Sequence, residues 1–145
     1  MTTLSTVGGV RTRSPHPGKL ACAAVLAIVV ASLGNALLAL IGKSAFSVPG
    51  DFKGFQPGAY IFLTVISIVG ASVAWSAIAA KAAKPVALLR KLAVIIVPVS
   101  MLADVALLVT GQSPAGVAVL LVMHVVVGLA AYFALTRIAP PRPAR

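Results

Sequence analysis

Four apolar runs, at residues 20–41, 59–79, 92–110 and 115–135, constrain this chain more than any other feature of its sequence. A helix rises about 1.5 Å per residue and the hydrocarbon core of a bilayer is about 30 Å thick, so each run is long enough to cross a membrane. The spans and their connections use nearly all of the 145 residues. The expected fold is therefore all-α: a four-helix transmembrane bundle over residues 19–139. A disordered tail at 1–18 precedes it and a basic, Pro-rich tail at 140–145 follows. No separate soluble catalytic or ligand-binding domain fits in what remains.

Composition excludes the main alternative. Hydrophobic residues make up 60% of the chain and charged residues 10%, against about 25% charged in an ordinary soluble domain. With a mean hydropathy of +1.08, too few polar residues exist to coat a water-soluble core. The net charge of +10 would suggest nucleic acid in a soluble protein, but no aromatic-interleaved basic patch or recognition helix accompanies it, so nucleic acid is not expected as a partner.

The basic residues are distributed unevenly along the chain. Arg11, Arg13 and Lys19 precede the first run, Lys81, Lys84, Arg90 and Lys91 lie between the second and third, and Arg137, Arg142 and Arg145 follow the fourth. Opposite them stand only Lys43 and Lys53, with Asp51 between. The positive-inside rule then places both termini and the middle loop in the cytoplasm, with the plasma membrane of a bacterium as the expected location. A basic face of this kind attracts anionic headgroups, by about 1 kcal/mol per charge near the surface. The bilayer and its anionic lipids are thus expected partners, beside a homo-oligomer or another membrane protein.

Cys22, the only cysteine, rules out an internal disulfide. It reads as a small apolar residue, with acylation as the functional alternative. The run at 20–41 follows a basic flank, yet it is about twice as long as a signal-peptide core of 7–15 residues. It reads as a retained span.

The connections carry their own signals. Segment 42–58 contains Phe46, Phe52 and Phe55. Its Pro49-Gly50 pair suits a type II turn, with Gly supplying the positive φ. A short hairpin or interfacial flap is expected, its rings on the headgroup region; a loop capping a site between helices is the alternative. Segment 80–91, with Pro85, reads as a turn. Gly111-Gln112-Ser113-Pro114 reads as a tight connector, with Gly after one helix, Ser capping the next and Pro opening it. Spans three and four should therefore be adjacent and antiparallel. Small residues at helical spacing mark expected packing faces: Ala24, Ala27, Ala31 and Gly34 in span one, and Ser67, Gly70, Ala74 and Ala77 in span two. Tyr60, Trp75 and Tyr132 lie toward span ends, as interfacial anchors do. Pro98 is expected to kink span three.

Asp104 and His124 are the only ionisable side chains deep within the runs. An Asp near mid-span costs roughly 2.5–3.5 kcal/mol on insertion scales, so it should face protein or water. Helix arithmetic sets Asp104 about 9 Å and His124 about 15 Å below the shared connector, within side-chain reach of each other. Asn35, Thr64 and Ser67 lie at similar depth, and Ser100 one turn below Asp104. Asn35, Ser67, Asp104 and His124 thus form a candidate intramembrane polar cluster. In a structural reading they satisfy one another and pin helix register. In a functional reading they bind a proton, a cation or a small polar ligand. One carboxylate and one imidazole are too few for a closed zinc site, and no serine has a nucleophile's setting, so no metal, cofactor or catalytic residue is assigned.

The motifs Gly34-Asn35-Ala36, Val69-Gly70 through to Trp75, Ser100 to Asp104, and Met123-His124-Val125-Val126 resemble those of a family of small four-span membrane proteins of actinobacteria, a domain-of-unknown-function family. The resemblance extends over about residues 20–140, and the Val48-Pro49 loop looks like the family pattern too. It implies a plasma-membrane protein and adds no catalytic residue.

The expected function is that of a non-enzymatic multi-pass membrane protein, an accessory or envelope-associated component or a small oligomeric binder. The alternative is a minimal proton- or cation-coupled transporter using the Asp104–His124 pair. Orientation is testable by cysteine labelling in a Cys22→Ala background. A cysteine at Ser113 should react from outside and one at Ala144 only after permeabilisation; external labelling at Ala144 would contradict four spans with both ends inside.

Overall fold

The computed structural model describes residues 12–143. Four helices, α1 (Pro17–Ala45), α2 (Pro57–Lys81), α3 (Pro85–Val105) and α4 (Pro114–Ile138), form the expected all-α bundle. Each is long and apolar enough to cross a membrane, α3 together with the 3₁₀ turn Ala106–Leu108 that continues it. Every helix opens with proline, whose missing N–H is one that a first helical turn cannot satisfy anyway. For this reason α3 begins at Pro85, inside the segment expected as a turn, and the α2–α3 connection shrinks to residues 82–84. α3 runs on through Pro98 as continuous helix before tightening at Ala106.

The two ends of the described segment meet at one end of the bundle. Thr12–Arg13 (β1) pairs antiparallel with Arg142–Pro143 (β2). The Arg142 Nε–H donates to the Ser14 carbonyl at 2.8 Å, and the Ser14 hydroxyl reaches the Ser76 carbonyl at 3.4 Å. The expectation of disorder across 1–18 is therefore corrected for residues 12–18, which are tied to the far terminus or already helical. The remainder of that tail, residues 1–11, and residues 144–145 lie outside the described residues.

Packing centres on α1. Its buried positions are Ala23, Ala27, Ala31, Asn35, Ala39 and Gly42, close to a four-residue repeat that sets one narrow face against the bundle. Of the expected stripe, Ala27 and Ala31 belong to this face, while Ala24 and Gly34 flank it half-buried. α4 makes its most extensive contact with α1 and also packs along α3. There the helices come so close that a Cβ on Gly128 would lie 2.8 Å from Val97.

The second stripe is corrected. α2 buries Thr64, Ile68, Ser72, Trp75 and Ala79, whereas Ser67, Gly70, Ala74 and Ala77 are exposed. Trp75 likewise is not an interfacial anchor. It is 0% exposed, and its indole N–H donates to the Ala139 carbonyl at 2.9 Å. That carbonyl, at the C-cap of α4, lacks an intrahelical partner.

At the opposite end the loop folds inward. Ser47 takes φ 51° and the Val48 N–H donates to the Gly42 carbonyl at 3.2 Å, closing α1. Positive φ thus falls on Ser47 rather than Gly50, and no hairpin forms. The Phe52 N–H bonds to the Pro49 carbonyl, and a 3₁₀ turn, Lys53–Phe55, follows. Phe46 is exposed, as a headgroup-facing ring would be. Phe52 and Phe55 are instead buried, ring edge to face at 4.8 Å, and wedge between α1 and α4. Gly42 makes room for this, since a Cβ there would stand 2.5 Å from the Phe55 ring. Burying two aromatic rings outweighs leaving them at the interface.

The α3–α4 connector forms as its residues suggest. Gly111 has φ 78°, the Gly111 and Gln112 amides return to Leu108 and Leu107, and the Ser113 hydroxyl accepts from the Gly116 amide at 3.3 Å.

Outside, the bundle is clad in exposed Val, Leu, Ile and Phe, such as Val25, Leu33, Phe62, Val94 and Leu102. Water would not tolerate so continuous an apolar surface, and a bilayer requires it. Trp75→Phe keeps the ring but strands the Ala139 carbonyl, and should cost about 1–3 kcal/mol in reversible unfolding from mixed micelles. An unchanged stability would mean that this side chain faces lipid.

Candidate functional site

α2 and α3 are joined by a three-residue turn yet make little contact along their lengths. Between them lies a cleft of ≈ 620 Å³, with α4 as its floor. Small-molecule sites run to about 300–1,000 Å³, so this one is of ligand size. It extends from Lys53 and Tyr60 at the loop end to Leu89 and Leu135 near the end where the termini meet. Its α2 wall includes Ser67, Gly70 and Ala74 of the small-residue stripe, beside Leu63, Ile66 and Ile78. A Cβ on Gly70 would meet nothing within 4 Å, so that part of the wall faces open space.

Polar groups from all four helices gather in the half of this cleft nearer the loop end. On α1, Asn35 takes the next position of the Ala23–Ala27–Ala31 repeat and is only 2% exposed. Its amide Nδ2 donates to the Thr64 hydroxyl of α2 at 3.1 Å, while its Oδ1 is buried with no hydrogen-bond partner. On α3, Asp104 occupies the last helical turn before the 3₁₀ segment. On α4, the His124 Nδ1 approaches the Asp104 Oδ2 to 2.9 Å.

That approach is close without being an aligned hydrogen bond, for Oδ2 is left buried with no hydrogen-bond partner. The same Nδ1 also faces the Leu120 carbonyl at 3.2 Å, and one N–H cannot serve two acceptors well. Ser100 lines the cleft too, its hydroxyl donating to the Val97 carbonyl at 2.8 Å.

Asn35, Ser67, Asp104 and His124 thus all line one cleft, but only two of the four touch each other directly. Asp104 meets His124. Asn35 meets Thr64, whose depth matched the cluster but which had no place in it. Ser67 is exposed on the wall beside them. Lys53, at the loop-end mouth, gave no sequence signal, since only the inward fold of the Phe52–Phe55 wedge brings it there. Among the described residues, no three His, Cys, Asp or Glu side chains come together as metal ligands would.

A double-mutant cycle with Asp104→Asn and His124→Gln should return a coupling of about 0.5–3 kcal/mol, the two changes together costing less than their sum. Additivity would show that these side chains do not interact.

Compared with known proteins, the chain matches over residues 12–141 the model of one family, described as a family of unknown function (DUF6069). No curated protein and no solved structure matches it.

Proposed function

The chain belongs to this family of unknown function, DUF6069, and we propose that it is a non-enzymatic, multi-pass membrane protein that binds a membrane-borne amphiphile in the α2–α3 cleft. One observation carries this reading. Polar side chains from all four helices open onto a cleft reachable sideways from the bilayer, and one of them, Asn35, has a buried oxygen without a partner. If the cluster only pinned helix register, its groups would be expected to satisfy each other and be sealed. Here Asn35 Oδ1 and Asp104 Oδ2 are sealed without an aligned hydrogen bond, while the Ser67, Ser100, Asp104 and His124 side chains border the cleft.

The occupant is a molecule of the bilayer rather than a second copy of the chain. The outward faces of the helices present aliphatic and aromatic side chains, which bring no polar group to Asn35 or Asp104. An amphiphile brings a head for the polar half and a chain for the remainder.

The cellular setting follows from charge. Arg13, Lys19, Lys81, Lys84, Arg90, Lys91, Arg137 and Arg142 are all exposed around the end where the termini meet. This supports a cytoplasmic position for both termini, a bacterial plasma membrane as location, and anionic lipids as neighbours. An accessory or envelope-associated role suits a protein that holds a lipid-like molecule.

Proton- or cation-coupled transport is the second reading, favoured by the Asp104–His124 approach. It ranks lower because the cleft beyond the cluster is walled mainly by residues such as Gly70, Ala74, Val97 and Val127, with Tyr132 the one polar side chain there.

Photo-crosslinking in nanodiscs, with a diazirine in the chain of a single-tailed amphiphile, tests the reading. Labelling should fall on α2 and α3 wall residues, and Gly70→Phe or Ala74→Phe should remove most of it without lowering thermal stability. Labelling spread evenly over the outer faces, unaffected by these changes, would contradict it, as would a disulfide-trapped dimer seated in the cleft.

A further inference from the structure

We propose that a groove between α1 and α4 is a binding site for an anionic phospholipid, with one acyl chain lying along the groove and the phosphate held at Arg137. The groove lies on the opposite side of α4 from the cleft and does not depend on what the cleft holds.

The groove has a volume of ≈ 510 Å³. Leu26 and Val30 of α1 and Leu129 and Phe133 of α4, each about half exposed, form its rims, and Ala27, 2% exposed, lies in its floor. It follows α4 from Val126, the middle residue of that helix, to Arg137 in the last turn. That stretch of helix is about 16 Å long, and one leaflet contributes about 15 Å to the hydrocarbon core. A groove that opens at headgroup level and ends near the middle of the bilayer has the reach of an acyl chain anchored by its head.

Charge identifies the head. Arg137 closes the outer end of the groove, its guanidinium 6.0 Å from the centre of the Phe133 ring, a contact that holds it over the rim. α1 and α4 run antiparallel, with Gly34 against Val126 and Gly42 against Val119. Carried to the helix ends, this register sets Lys19 about one turn beyond Arg137. Lys19 also precedes Leu26 by two turns on the same face of α1. Two exposed cations therefore bracket the mouth of the groove. Neither has an acidic partner, for the chain contains only two acidic side chains. Asp51 belongs to the loop at the far end, and Asp104 lines the cleft. A phosphate supplies the missing charge, and a guanidinium binds it through paired N–H donors.

The same charges disfavour other occupants. A second copy in the same orientation would bring its own Arg137 and Lys19 to this level, with no carboxylate between them. A zwitterionic head carries an ammonium into a mouth that is already cationic.

Photo-crosslinking in nanodiscs tests the site, using phosphatidylglycerol with a diazirine midway along one chain. Cross-links should map to residues 26–30 and 129–133. Unlabelled phosphatidylglycerol should displace the probe at about one-tenth the mole fraction that phosphatidylcholine of identical chains requires, a difference of about 1.4 kcal/mol. Inorganic phosphate should displace none of it; if it did, the site would be one for a free anion and the lipid assignment would fail. Arg137→Gln should remove most of the preference, and Arg137→Lys should restore part of it, keeping the charge without the fork of donors. Lys84→Gln, at an exposed cation of the same end that does not border the groove, should leave the preference intact. Equal losses in Arg137→Gln and Lys84→Gln would mean diffuse attraction to the basic end and would overturn the site. Equal displacement by the two lipids, or cross-links spread over all four helices, would overturn it on the unaltered protein, whether or not the variants fold. Efficient oxidation to a dimer through the native Cys22, one turn from Leu26, would seat a second copy there instead. Cross-links confined to α2 and α3 would remove this site and leave the cleft reading standing.

Discussion

At Ala23, Ala27 and Ala31 the backbone of α1 lies against its neighbours through methyl side chains with at most 2% of their surface exposed. Lipid tails are as apolar as leucine, so burying leucine between helices gains little in a bilayer. Close contact of backbones through small residues holds the helices together instead. α1 is consequently drawn tightly to α4, and the Phe52–Phe55 wedge locks the loop end of that seam. At the other end the Trp75–Ala139 hydrogen bond and the paired termini hold α2 and the end of α4 in place.

α3 is then left with one substantial partner. It packs on α4 at Gly128 and Val97, and its remaining faces look outward or into the cleft. The cleft is thus a consequence of unequal packing: α2 turns its buried face, Ile68 and Trp75, toward α1 and α4 and its small residues toward the gap. The polar groups sit where that gap lets them avoid hydrocarbon. An ionisable side chain inside a membrane is tolerated when it faces protein or a cavity, and Asp104 does both. There Asn35 Oδ1 stays without a hydrogen-bond partner, and Asp104 Oδ2 has only the close approach of His124.

Much of this was legible in the sequence, for physical reasons that also explain the rest. Span number and helix identity follow from apolar length, and the α3–α4 hairpin from the special chemistry of Gly111, Ser113 and Pro114. The approach of Asp104 to His124 was readable because that tight hairpin fixes their relative depth. The α2 stripe misled because Ser67, Gly70, Ala74 and Ala77 recur at the same period whether a helix meets a neighbour or borders a void. Periodicity identifies a face without saying what lies opposite. Trp75 misled because its place near a span end suits an anchor, while the acceptor that buries it, Ala139, is 64 residues away. Lys53 and Thr64 depended on how the loop and α1 fold back, which no local pattern records.

The most direct test of the central claim, that the small-residue face of α2 borders an open cleft, is the accessibility of nitroxide labels in nanodiscs. A label at Ala74 should be mobile and accessible to oxygen dissolved in the bilayer. One at Ala27, in the α1–α4 seam, should be immobilised and shielded. Equal immobilisation at both positions would mean that this face of α2 is packed, and the cleft with its polar cluster would not exist as described.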